Sequence, residues 1–101
     1  MSLLDRSPAA ALRAMASRVR EVRLGRGWSQ EELAMRAGLP LPTYRLFERT
    51  GRISTEGLLR VSTALARLAE LDGLFTARPE SLDQLTAQYT KQVRRRGKTH
   101  R

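Results

Sequence analysis

The sequence predicts an all-α fold of short helices: five in the main body, then one more short helix and a basic C-terminal tail. Three observations predict it. Ser29-x-x-Glu32 has the spacing of a capping box, and Trp28 and Leu33 flank it at the positions of a hydrophobic staple. Gly38-Leu39 follows, a glycine able to take the left-handed conformation that ends a helix and a leucine able to tuck the turn inward. Apolar residues then resume at Tyr44 and Phe47, three apart on one helical face. The pattern is that of two short helices joined by a tight turn, the second shaped to lie in a groove of DNA.

The other elements are read from the same kinds of signal. Ser7-Pro8 supplies an N-cap and a proline at the first helical position, and the first helix runs to about Leu24, with Gly25 and Gly27 ending it. Its stripe Leu12, Met15, Ala16, Val19 and Val22 has helical spacing and is expected to face the core, with Arg13, Arg18, Arg20 and Arg26 turned toward solvent or phosphate. The second helix covers roughly Gln30 to Ala37 and the third roughly Leu41 to Arg49, with Thr50-Gly51-Arg52 as the exit and Ile53 as its anchor. A fourth helix starts at Ser54 or Thr55 and turns Leu58, Leu59, Val61 and Leu65 around its axis, with Gly57 a mild weakness in its first turn. A fifth, around Leu68 to Phe75, has Leu71, Leu74 and Phe75 to bury. Beyond Ala77-Arg78-Pro79, Ser81 and Gln84 again have capping-box spacing, and from Thr90 onward no core-forming pattern remains, so the tail is expected to be disordered on its own.

Composition narrows the function. The chain has 101 residues, room for one domain, and with five aromatic residues its core must be built mostly from Leu, Ala and Val. It holds no cysteine, which excludes disulfides and thiolate metal sites. The start, Met1-Ser2-Leu3-Leu4-Asp5-Arg6, lacks the features of a signal peptide, no window reaches the length of a membrane span, and the cytoplasm is the default location. Net charge is +9, and it is unevenly spread: Lys91, Arg94, Arg95, Arg96, Lys98 and Arg101 follow the last acid, Asp83, leaving only +3 on the body before residue 90. A mildly basic body with a strongly basic tail favours a polyanionic partner, nucleic acid first, and the tail has too few apolar anchors for a membrane surface.

Catalysis finds no support. His100 is the single histidine, next to the chain end and without metal-ligand spacing around it. Glu31-Glu32 and Glu80 with Asp83 are explained by helix starts. There is no phosphate-cradling glycine loop and no nucleophile elbow, and no cofactor or metal is expected.

With these residues in view, the stretch Gln30-x-Glu32-Leu33-Ala34-x-x-x-Gly38-Leu39-x-x-x-Thr43-Tyr44-x-x-Phe47-Glu48 resembles the Cro/C1-type helix-turn-helix family, the Xre-like regulators with a lambda-repressor-like domain, over about Leu12 to Phe75. The resemblance implies an N-terminal arm at 1–7, a DNA-binding domain at 8–76 and a C-terminal extension at 77–101. It also implies a core pair between an arginine late in the first helix and the glutamate ending the third, here Arg23 and Glu48; a partly buried guanidinium needs such a bidentate partner. Gln30, at the start of the second helix, is implied to meet a phosphate. Pro40, Leu41, Pro42, Thr43, Arg45 and Leu46 occupy the end that enters the major groove.

Leu41, Pro42 and Leu46 depart from the polar residues often found at those positions. They cannot hydrogen-bond a base edge through their side chains, although they can pack against a thymine methyl. Thr43 and Arg45 are then the best base readers, Arg45 suiting a guanine, while Arg49, Arg52 and Arg26 are phosphate contacts and more of the specificity falls to DNA shape. Tyr44 and Trp28 are read as packing residues.

A narrower resemblance, carried by Thr43 to Ser54 and the short Thr50-Gly51-x-Ile53-Ser54 exit, is to the HipB-type antitoxins that partner HipA-like kinase toxins. It implies a repressor of its own operon that acts as a homodimer on a double-stranded operator with inverted repeats. Leu68, Leu71, Leu74 and Phe75 are candidates for the dimer surface, and Leu82, Leu85, Arg94, Arg95 and Arg96 for contacts to a toxin. The alternative is a stand-alone Xre-like regulator with no toxin partner.

Overall fold

The computed structural model describes residues 7–77, 86–87 and 89–94. They form helices joined by turns and short loops: α1 is Pro8–Gly25, α2 Gln30–Ala37, α3 Leu41–Thr50 and α4 Thr55–Ala64, followed by a single 3₁₀ turn at Leu68–Leu71. Residues 1–6 of the expected arm at 1–7, the short helix at Ser81 with Leu82 and Leu85, and Arg95, Arg96 and His100 lie outside the described residues.

Helix starts follow local chemistry. The hydroxyls of Ser7, Ser29 and Ser54 accept from the backbone N–H groups of Ala10 (3.3 Å), Glu32 (3.0 Å) and Gly57 (3.0 Å), so each satisfies a donor that the helix cannot. Only the serine half of the Ser29–Glu32 box follows the expected form, since the Glu32 carboxylate accepts from Arg36 Nε at 2.8 Å.

The ends of α1 and α2 share one device. Gly27 (φ +70°) and Gly38 (φ +69°) are left-handed, and the residue after each donates back five positions: Trp28 N–H to Arg23 O at 3.2 Å, Leu39 N–H to Ala34 O at 2.9 Å. Gly25 therefore belongs to α1, and Gly27 alone ends it.

The helices pack in a crossed set, α1 on α3, α2 on α3 and on α4. Ala16, Leu33, Ala34, Ala37, Tyr44, Phe47, Val61 and Leu65 form the core. The Tyr44 and Phe47 rings meet edge-on, their centroids 6.0 Å apart. Val19, Val22, Trp28, Leu39 and Ile53 close over this core. From the expected α1 stripe, Ala16 is fully buried but Leu12 stays largely exposed, because α3 covers only part of that face.

Two glycines carry close approaches. Gly51 (φ +82°) is buried, and a Cβ there would overlap the backbone of Leu12, so α1 and the exit of α3 touch through main chain. At Gly57 a Cβ would stand 2.7 Å from Ile53 Cγ1. The expected weakness of Gly57 is thus the space that lets Ile53 seat.

Two expectations are corrected. The fifth helix shrinks to the 3₁₀ turn Leu68–Leu71: Ala66 (φ +56°) and Phe75 (φ +56°) are both left-handed, and Asp72-Gly73 continues as turn. Leu71 is half-buried, whereas Leu74 is exposed and Phe75 fully so, and neither closes the core. The tail, expected to lack structure from Thr90, is helical at 86–87 and 89–94, with Thr90 Oγ1 donating to Thr86 O at 3.0 Å. Helix-favouring Lys91, Gln92 and Arg94 allow this without burial, and every described side chain there is exposed.

Candidate nucleic-acid interface

The turn Gly38-Leu39-Pro40 sets α3 across α2 with Tyr44 and Phe47 inward. Helical geometry then places Pro42, Arg45, Leu46 and Arg49 on the outward face, all of them exposed. Thr43 is exposed beside them, and Arg52 is exposed in the exit loop. Leu41 differs: it is half-buried and packs on the core. Pro40 is the N-cap residue of α3 and offers no side-chain cap, and Pro42 has no N–H, so the backbone amides of Leu41 and Thr43 present the positive end of the helix uncapped.

Beneath this face sits a buried charge network. Arg23 donates to Glu48 through Nε (2.7 Å to Oε2) and Nη2 (3.1 Å to Oε1), and through Nη1 to the carbonyl of Trp28 at 2.7 Å. Gln30 Nε2 donates to Glu48 Oε1 at 3.2 Å, and Arg20 stands 4.0 Å from the same oxygen. The network joins the end of α1, the start of α2 and the last turn of α3.

Burial pushes the Glu48 carboxyl up, but the donors Arg23 and Gln30, with the Arg23 charge, outweigh it and hold it below the ordinary carboxylate range. Its bonds to Glu48 hold the Arg23 guanidinium above its ordinary value. The Tyr44 hydroxyl points at this pair yet has no hydrogen-bond partner among the described residues. Burial first, then the facing Glu48 carboxylate by its proximity and its charge, push its phenol well up, with Arg23 opposing.

The arginines divide into two sets. Arg20, Arg23, Arg36, Arg60 and Arg67 pair with Glu48, Glu48, Glu32, Glu56 and Glu70, and Arg18 is also engaged. Arg26 donates to the carbonyl of Leu65 behind α4 and lies 5.1 Å from the centre of the Trp28 ring, whose other contact is Arg36 at 4.3 Å. Arg26 is thereby engaged within the fold, although its residue stays exposed. Among the described residues of the domain, Arg13, Arg45, Arg49 and Arg52 make no ion pair and no side-chain hydrogen bond.

A family model described as helix-turn-helix matches residues 19–71, just over half of the chain. The chain belongs to the Cro/C1-type helix-turn-helix family. Neither a curated protein nor a solved structure matches it. The domain is that of a DNA-binding transcription regulator. Among its described residues no helix is long and apolar enough to cross a membrane, and no group of acidic or histidine side chains is placed to hold a metal ion.

In this helix-turn-helix domain the sequence-predicted residues fall in three places. Thr43, Arg45, Leu46 and Arg49 share the outer side of α3 with Pro40 and Arg52 nearby, Arg23 and Glu48 are joined below it, and Gln30 bonds to Glu48 at the edge between the two. Of the residues expected to touch a protein partner, only Arg94 is described, exposed on the C-terminal helical segment. Sequence reasoning missed the tie from Arg26 to Leu65 and the Trp28–Arg36 stack. The latter left no local signal, since Trp28 precedes the capped start of α2 and Arg36 lies in its last turn, eight positions on.

Proposed function

We propose that this protein is a transcriptional repressor that binds a double-stranded operator of inverted-repeat form as a homodimer, with α3 in the major groove. The observation that carries the reading is the segregation of arginines. Among the described residues of the domain, arginines elsewhere are engaged, Arg13 on α1 excepted, while Arg45, Arg49 and Arg52 stand unpaired on and beside the outer face of α3. Unneutralised guanidiniums on a helix that projects from the fold suit phosphates and guanine edges. Arg45 and Thr43 read bases, Leu46 and Pro42 pack on thymine methyls, and Arg49, Arg52 and the Gln30 end of α2 hold the backbone. One α3 reads too few base pairs for an operator, which is why the reading requires two copies. Exposed Leu68, Leu74 and Phe75, which the core leaves uncovered, are the surface we assign to the dimer. Sedimentation of the free protein and of its DNA complex tests this; a monomer at micromolar concentration in both states contradicts it.

The antitoxin role is a second reading. It is supported by the Thr50-Gly51-x-Ile53-Ser54 exit and by the exposed basic segment at Lys91 and Arg94, available to a second protein while α3 is on DNA. Co-purification with a HipA-like kinase supports it, and a chain recovered alone from cells expressing both returns the protein to the stand-alone class.

A further inference from the structure

We propose that Arg13 joins Arg49 and Arg52 in a single phosphate-binding cleft at the junction of α1 with the exit of α3. The cleft has a volume of about 280 Å³ and is lined by Ala9, Leu12, Arg13, Arg49, Thr50 and Arg52. Its lining contains three guanidiniums and no carboxylate. None of the three makes an ion pair or a side-chain hydrogen bond among the described residues, although the α1 neighbours Arg20 and Arg23 both reach Glu48.

The walls are rigid. Gly51 rests directly on the Leu12 backbone, which fixes α1 against the exit of α3. Thr50 Oγ1 donates to Leu46 O at 2.7 Å and accepts from Arg52 N–H at 3.1 Å, which fixes the turn that carries Arg52. Three like charges held around one cleft repel each other until an anion enters, and guanidinium forks match phosphate oxygens in pairs. The space is several times the ~30 Å³ share of one water, enough for a phosphate group with part of its hydration.

Arg49 belongs both to this cleft and to the outer face of α3. A helix seated in the major groove therefore brings a flanking backbone phosphate to the cleft mouth, and Arg13 extends the footprint onto α1. For the source of the phosphate this rests on the DNA-binding reading; the anion chemistry of the cleft does not.

Two measurements on the full chain test it. The first titrates inorganic phosphate at low ionic strength and follows the arginine Nε–H resonances by NMR; those of Arg13, Arg49 and Arg52 are expected to shift together, while that of Arg67 stays. The second measures duplex binding across salt concentrations for the wild type, Arg13→Gln, Arg13→Lys and, as a charge-matched control on a paired arginine, Arg67→Gln. Arg13→Gln is expected to weaken specific and random duplexes by the same factor and to lower the log K against log[salt] slope by about 0.9, Arg13→Lys to keep the slope, and Arg67→Gln to move it less.

Equal effects of Arg13→Gln and Arg67→Gln, or an unchanged slope in Arg13→Gln, overturn the cleft while leaving DNA binding intact. A wild-type chain that binds no duplex, yet shows the phosphate shifts, removes DNA as the source and upholds the anion site.

Discussion

Arg23 near the end of α1 and Glu48 near the end of α3, 25 residues apart, form a two-pronged ion pair with side chains only 8 % and 4 % exposed. The pair ties the helix that scaffolds the domain to the helix that presents Arg45 and Arg49. Removing one partner leaves the other charge buried, so Glu48→Gln is expected to cost about 3–5 kcal/mol in urea unfolding. Replacing both, Arg23→Met with Glu48→Leu, is expected to recover most of that loss. Equal losses in the single and double variants would show that the pair fixes geometry by more than charge matching.

The same pair sets an acid limit. Glu48 has a folded-state pKa below its ordinary value of 4.5, so its stabilisation is fully present above that pH and is lost as pH falls through the lower folded value. Thermal unfolding followed from pH 6 downward is expected to show a steep loss below about pH 4.5 in the wild type and a shallower one in the double variant. Parallel curves would remove Glu48 as the titrating group.

Tyr44 presents the opposite case. Its hydroxyl is buried without a partner, so Tyr44→Phe is expected to leave stability unchanged or raise it by about 1 kcal/mol. Because burial raises the phenol's folded pKa above its ordinary 10, its contribution is present below pH 10 and lost above it; Tyr44→Phe is expected to flatten that alkaline limb. A loss above 2 kcal/mol would mean that the hydroxyl serves the Arg23–Glu48 network.

Gly51→Ala places a Cβ on the Leu12 backbone at a left-handed position, and it is expected to destabilise by about 2–4 kcal/mol. Gly25→Ala, where a Cβ meets nothing within 4 Å, is the control and is expected to be neutral or stabilising. Similar melting temperatures for the two variants would contradict the close approach of α1 to the α3 exit.

What the sequence made legible was what local chemistry decides. Ser7, Ser29 and Ser54 start helices through their own hydroxyls, Gly38 ends one, and Tyr44 and Phe47 turn inward by spacing alone. What it hid depends on distant partners. Nothing in the first turn of α4 reveals that Gly57 makes room for Ile53, and nothing near Arg26 points to the Leu65 carbonyl. The fifth helix was overextended because Leu71, Leu74 and Phe75 keep helical spacing, while left-handed Ala66 and Phe75 stop the chain from using it. Gln30 stands where the family resemblance placed it, but its amide also serves Glu48, a contact set by tertiary packing.

On the interface itself, Arg45 and Arg49 stand four residues apart and are expected to behave differently. Arg45→Ala is expected to cost about 1–3 kcal/mol on the preferred site and to relax preference at one base position per half-site. Arg49→Ala is expected to weaken preferred and random duplexes by similar factors, because phosphates carry no sequence. Fluorescence anisotropy on both duplexes separates them, and an equal loss for Arg45→Ala on the two would remove it as a base reader.

The central claim is that two copies of this helix-turn-helix domain read DNA through the outer face of α3. Selection of bound duplexes from a randomised library, followed by sequencing, tests it most directly. Enrichment is expected of an inverted repeat whose half-site centres lie about one helical turn, roughly 34–36 Å, apart, with one position in each half-site losing its preference in Arg45→Ala. A library that emerges without enrichment, or with a motif untouched by Arg45→Ala, would contradict it.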